Sequence, residues 1–145
     1  METQYKKLKT QLLKTTTIFF MGFIMLGMMA FMRITQDDWE APKEAKLKKN
    51  PVVADQTAAA EGKKVYDKEC FSCHGKKGKG DGPKAEELDK AVKDLGAGKT
   101  QAQTDGELFW KITEGKKPMP STKKTLTETQ RWQVVLYIRN FGKPK

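Results

Sequence analysis

One pentapeptide limits what this chain can become. Cys70-Phe71-Ser72-Cys73-His74 holds both cysteines and the single histidine of 145 residues. Two thiols three positions apart share one helical turn, and the imidazole follows at once. That C-x-x-C-H spacing is the pattern of covalent c-type haem attachment. The thiols reach the two vinyl groups of one porphyrin as thioethers, and the imidazole reaches the iron from the same side. Other uses of the same atoms fit less well. A structural zinc site wants four ligands, and the chain offers three sulfur or imidazole groups. A thioredoxin-like C-x-x-C wants a strand-helix-strand context that is absent here. A disulfide would close a loop too short to stabilise much.

An iron held by the only histidine needs a second axial ligand. Met1, Met21, Met25, Met28, Met29 and Met32 all precede residue 33, which leaves Met119 as the one methionine beyond it. Met119 stands between Pro118 and Pro120. Two prolines restrict the backbone there and keep it out of regular helix or strand. A methionine is more often plain core filler. Its uniqueness and this setting make Met119 the expected partner of His74. Six-coordinate His/Met iron is closed to small molecules, so the ligand set favours electron transfer over catalysis.

The chain before residue 57 reads differently. Residues 1–14 are polar and lysine-bearing, an expected cytoplasmic tail. Thr15 to Met32 is a run of eighteen residues without a charge, ended by Arg33. As a helix it is about 27 Å long, close to a bilayer's hydrocarbon thickness. Bulky Met28, Met29, Phe31 and Met32 stand where a signal peptidase wants small residues, so residues 15–33 read as a retained transmembrane anchor. Lysines before the run and Asp37 and Asp38 after it place the N-terminus in the cytoplasm and the rest outside. For a haem c protein that is the periplasmic face of a bacterial inner membrane. Met21, Met25, Met28 and Met32 share one helical face, which fits either packing against partner helices or lipid contact.

Residues 34–56 read as a charged linker with Pro42 and Pro51, Trp39 at headgroup level and a short helix over residues 44–49. The expected haem domain covers residues 57–145. Thr57 is a candidate cap for a helix running into Cys70. Four glycines between residues 75 and 82 force a loop, and a short helix is expected over residues 83–91. Thr104–Glu107 and Thr127–Gln130 are capping boxes, each opening a helix with an apolar stripe. No strand alternation is present, so the domain is expected to be all-α.

These motifs, in this order, make residues 60–142 resemble class I cytochromes c, here as a small domain of about four helices around one covalent haem, behind a single transmembrane helix. Gly62 and Tyr66 match the family's glycine and aromatic, which pack on the last helix at positions matching Val134 and Tyr137. The loop Gly80-Asp81-Gly82-Pro83 resembles that of small bacterial members. The resemblance implies that the Pro83 carbonyl accepts the Nδ1 proton of His74. Gly115 to Pro120 resembles the family's G-x-x-x-M-P element. A propionate-binding tryptophan of some members has Trp110 as a counterpart at similar distance, although Trp110 falls within a helix.

The site expected is therefore Cys70, Cys73, His74, Met119 and Pro83, with His74 and Met119 on the iron of one haem c. The function expected is one-electron transfer rather than enzymatic turnover, as a tethered shuttle or as a fixed subunit of a respiratory or photosynthetic complex. The alternatives are a structural subunit of a larger oxidoreductase, or a haem sensor or enzyme with a labile methionine. With 28 Lys and Arg against 18 Asp and Glu the chain carries a net charge of +10. From Thr57 onward, 19 Lys and Arg face 12 Asp and Glu, a net of +7. Lys76, Lys77, Lys79, Lys116, Lys117, Lys123 and Lys124 flank the expected ligands, which suits an acidic redox partner as well as plain solubility. No recognition helix or interleaved aromatics suggest nucleic acid.

Overall fold

Side-chain caps open the three longest helices among the described residues. The computed structural model describes residues 39–143. Among them lie six α-helices: α1 Lys43–Leu47, α2 Gln56–Glu69, α3 Phe71–His74, α4 Gly98–Gln101, α5 Asp105–Glu114 and α6 Glu128–Arg139, followed by a 3-10 turn at Asn140–Gly142. The described residues hold no strand, only an isolated bridge between Lys116 and Met119. Both capping boxes form. Thr104 accepts from the Glu107 amide while the Glu107 carboxylate accepts from the Thr104 amide, and Thr127 and Gln130 repeat the exchange. Each satisfies two amides that a helix start leaves without partners. The cap of α2 is Asp55 rather than Thr57: its Oδ1 accepts from the Ala58 amide at 2.7 Å. A carboxylate at that position also complements the helix dipole.

The core lies where α5 and α6 meet: Leu108, Phe109 and Ile112 against Trp132, Val134, Val135 and Ile138. Phe109 and Trp132 stack with centroids 3.9 Å apart. Helix α2 crosses α6 closely because Gly62 has no side chain. A Cβ there would stand 2.0 Å from the Gln133 carbonyl oxygen and 3.2 Å from the Tyr137 Cβ. The backbone that Gly62 meets is thus that of Gln133, one residue before Val134, which is itself fully buried.

Two expectations change. Residues 83–91 form isolated turns instead of a helix. The Lys84 amide, which would sit in the first turn, donates instead to the Ser72 carbonyl at 2.8 Å. Leu88 is half-buried and Ala91 exposed, so no apolar face rewards a helix there. The segment read as linker is also more ordered than expected. Trp39 onward belongs to one structural unit. Residues 39–53 form a strap that carries α1 across α5. Ala41 and Ala45 are buried, the Lys46 ammonium lies 3.5 Å from Glu107, and Asn50 donates to the Trp132 carbonyl at 3.2 Å. Gly106 permits the contact, because a Cβ there would lie 1.9 Å from the Ala45 oxygen. Trp39 engages Lys111, whose ammonium is 5.5 Å from the ring centroid. The expected tail and membrane span, residues 1–33, lie outside the described residues. Among those described, no helix is long and apolar enough to cross a membrane.

Candidate functional site

The motif begins where α2 stops. Cys70 caps that helix, its amide donating to the Tyr66 carbonyl, and the chain turns straight into α3. A helix of four residues leaves its last carbonyls without intrahelical partners. The glycine loop supplies them. The Gly80 amide donates to His74 (2.9 Å), Gly82 to Cys73 (3.1 Å) and Lys84 to Ser72 (2.8 Å). The loop is therefore the scaffold that holds the motif.

A second brace comes from α2. Tyr66 is fully buried, and its hydroxyl donates to the Gly75 carbonyl at 2.8 Å. Its ring lies 5.1 Å from Tyr137 and 5.3 Å from Phe141, which are 5.1 Å from each other. This aromatic triangle ties the end of the motif to α6. Burial and the nearby acidic and thiol groups push the Tyr66 phenol far above its ordinary value, so it stays a donor. The resemblance implied that Tyr66, on α2, packs against α6, but its bond to the motif was missed.

Both cysteines are free thiols and half-buried. Burial, followed by the charges of Glu69 and Cys73, pushes the Cys70 thiol up to about 12. His74 moves the other way: burial lowers its pKa, and a hydrogen bond with the Lys93 backbone only partly opposes this. The ring is therefore neutral at pH 7, the state able to ligate a metal. Its Nδ1 is buried and has no hydrogen-bond partner among the described residues. The bond expected from Pro83 is thus not made. The loop meets the motif through the amides on either side of Pro83, which present donors to the helix end instead of an acceptor to the ring.

Met119 is fixed by a separate device. Lys116 and Met119 exchange two backbone hydrogen bonds, at 2.9 and 3.0 Å, which closes a four-residue turn. Gly115 ends α5 with φ +66°, a left-handed conformation suited to glycine. Past the turn, Ser121 Oγ donates to the Thr113 carbonyl at 2.6 Å and Thr122 Oγ1 to that of Ile112 at 2.7 Å. The free end of α5 thereby clamps the segment on both sides of Met119, and its side chain packs half-buried against the core. Trp110 lies half-buried within α5. The seven lysines flanking the expected ligands are all exposed.

Arg139 is a supporting residue that spacing did not reveal. It binds the Asp105 carboxylate (2.7 and 2.8 Å) and the carbonyls of Gln101 (2.8 Å) and Gln103 (2.6 Å). It joins α4 and the start of α5 to the end of α6.

The model of the family described as cytochrome c oxidase, cbb3-type, subunit III matches residues 57–138. Among solved structures, a chain of the reducing HAO-like protein complex of Kuenenia stuttgartiensis matches with 30% identity and a TM-score of 0.59. The match covers 64% of this chain and 47% of that one, so it spans about half the neighbour's length. No curated protein matches.

Proposed function

We propose, from the premise that this chain belongs to the family of cbb3-type cytochrome c oxidase subunit III and carries a class I cytochrome c domain, that it is a membrane-anchored mono-haem carrier of single electrons. Its domain then works on the periplasmic side. A covalent haem c would supply the one-electron chemistry. The residues present fit such a group: two cysteines free of any disulfide on one turn and the histidine directly after them. Cys70 and Cys73 hold the porphyrin, and His74 and Met119 serve as the axial pair. The Gly80–Lys84 loop and Tyr66 keep the motif from moving, and the core of α5 and α6 excludes water.

One observation carries the choice of carrier over sensor or enzyme. Met119 is the only methionine beyond residue 32, and it is held in a turn anchored at both ends. A ligand so clamped closes the iron. The test is spectroscopic: one haem per chain, a single-electron redox titration, and no carbon monoxide binding by the reduced protein at pH 7. Strong carbon monoxide binding would replace this reading with the sensor or enzyme.

A fixed place within a complex is the second reading, and the strap favours it. With residues 39–53 packed on the domain, only residues 34–38 remain between it and the expected span. The structural neighbour is itself part of an HAO-like complex.

A further inference from the structure

The strap that packs on α5 also presents a second face. Leu47 is 80% exposed and Val53 76%, against 36% for Phe71, the third exposed large apolar residue among those described. Lysines surround Leu47. The strap carries Lys43, Lys46, Lys48 and Lys49 against two glutamates, Glu40 and Glu44, and all four lysines are exposed. Lys46 and Lys48 lean inward, toward Glu107 and Phe109, while α1 itself is held to the domain by buried Ala45. The result is a packed strap whose outer face carries an apolar knob beside exposed cations. That is the composition of a surface that rests on an anionic lipid interface.

Chain length narrows the occupant. Five residues separate Arg33 from Trp39. Even fully extended, they span about 20 Å. If residues 15–33 cross the membrane, as the proposed function holds, the strap begins within that distance of the end of the span. We infer that residues 43–53 dock on anionic lipid headgroups, Leu47 entering the interface, and so fix the orientation of the haem domain above the membrane. This inference rests on the anchor reading.

The test uses the full-length holoprotein. With Cys70 and Cys73 consumed in thioethers, a Leu47→Cys variant takes a single environment-sensitive fluorophore, and Glu86→Cys, at an exposed position of the segment after Pro83, serves as control. Each is reconstituted into neutral vesicles and into vesicles with an anionic phospholipid. The expected result is a several-fold rise in emission and loss of quenching by aqueous iodide at position 47, in anionic vesicles only, with position 86 unaffected. Adding Lys43→Glu and Lys49→Glu should abolish the response and leave the haem spectrum unchanged. A label at 47 that stays as quenchable as one at 86 overturns the inference. Flotation with neutral vesicles reads the anchor separately. A protein that floats but leaves Leu47 exposed loses the docking surface and keeps the anchor. One that fails to float loses the anchor, and shielding of Leu47 on added anionic vesicles still decides the surface.

Discussion

At the scale of single residues, the proposed axial ligand and the brace behind the motif can each be tested by one substitution. Replacing Met119 with Ala removes the thioether while the flanking Lys116 and Ser121 bonds persist, because they are made by the backbone and by Ser121. The expected outcome is a lower reduction potential, loss of the methionine-to-iron charge-transfer band and new carbon monoxide binding, with the fold kept. An unchanged spectrum would falsify the ligand assignment. Tyr66→Phe probes the brace. It strands the buried Gly75 carbonyl, which costs about 1–3 kcal/mol, and thermal unfolding should report a lower Tm with a normal ligand field. These two positions were not equally legible. Met119 stood out by counting alone, since no other methionine follows residue 32. The partner of Tyr66 did not, because a side-chain bond across nine residues to a backbone oxygen leaves no trace in composition.

At the scale of elements, the crossing of α2 on α6 depends on an absence. Gly62→Val would drive a branched side chain into the Gln133 carbonyl. Overpacking of this kind costs about 1–3 kcal/mol, which for a domain near this size lowers Tm by about 4–8 °C per kcal/mol; chemical denaturation should show the loss. The start of α5 predicts a pH dependence. Burial alone would raise the pKa of Glu107, but hydrogen bonds from Thr104 and the Lys46 charge outweigh it and hold the carboxyl below its ordinary value. A carboxyl depressed on folding stabilises above its unfolded pKa, about 4.3, and that contribution fades as pH falls through the lower folded value. Acid unfolding of Glu107→Gln should therefore be less steep than that of the parent below about pH 4.3. The capping boxes that create this effect could be read directly, because side-chain oxygens spaced three apart can satisfy only a helix start. The strap could not. Its contacts run through Ala41, Ala45 and the bare backbone of Gly106, and small residues in a charged segment carry no periodic signal. The helix expected over residues 83–91 failed for a related reason: the Lys84 amide was needed by Ser72, a long-range claim that local propensity does not register.

For the whole molecule, the question is what its charge does. A net of +10 is spread over the chain, yet seven exposed lysines flank the motif and the Met119 turn. Not all are equally available. Lys123 lies 3.3 Å from Glu114, and Lys116 makes contacts of its own. Lys76, Lys77 and Lys79 stand exposed on the loop that follows α3, and Phe71, the first residue of α3, is exposed as well. A partner docking there would approach the attachment site directly, and an acidic one would be drawn in from a distance. Such steering can raise association from about 10⁵–10⁶ to as much as about 10⁸ M⁻¹s⁻¹ at low salt. It acts over about 10 Å at 0.1 M salt and fades as the screening length shortens to about 3 Å at 1 M. Stopped-flow electron transfer to an acidic redox protein should thus slow by about tenfold or more between low and high salt. The double variant Lys76→Glu/Lys77→Glu should flatten that dependence while leaving the spectrum and the rate with a small neutral reductant unchanged. A rate that ignores salt in the parent protein would show that these lysines serve solubility, and would move the docking face elsewhere on the domain.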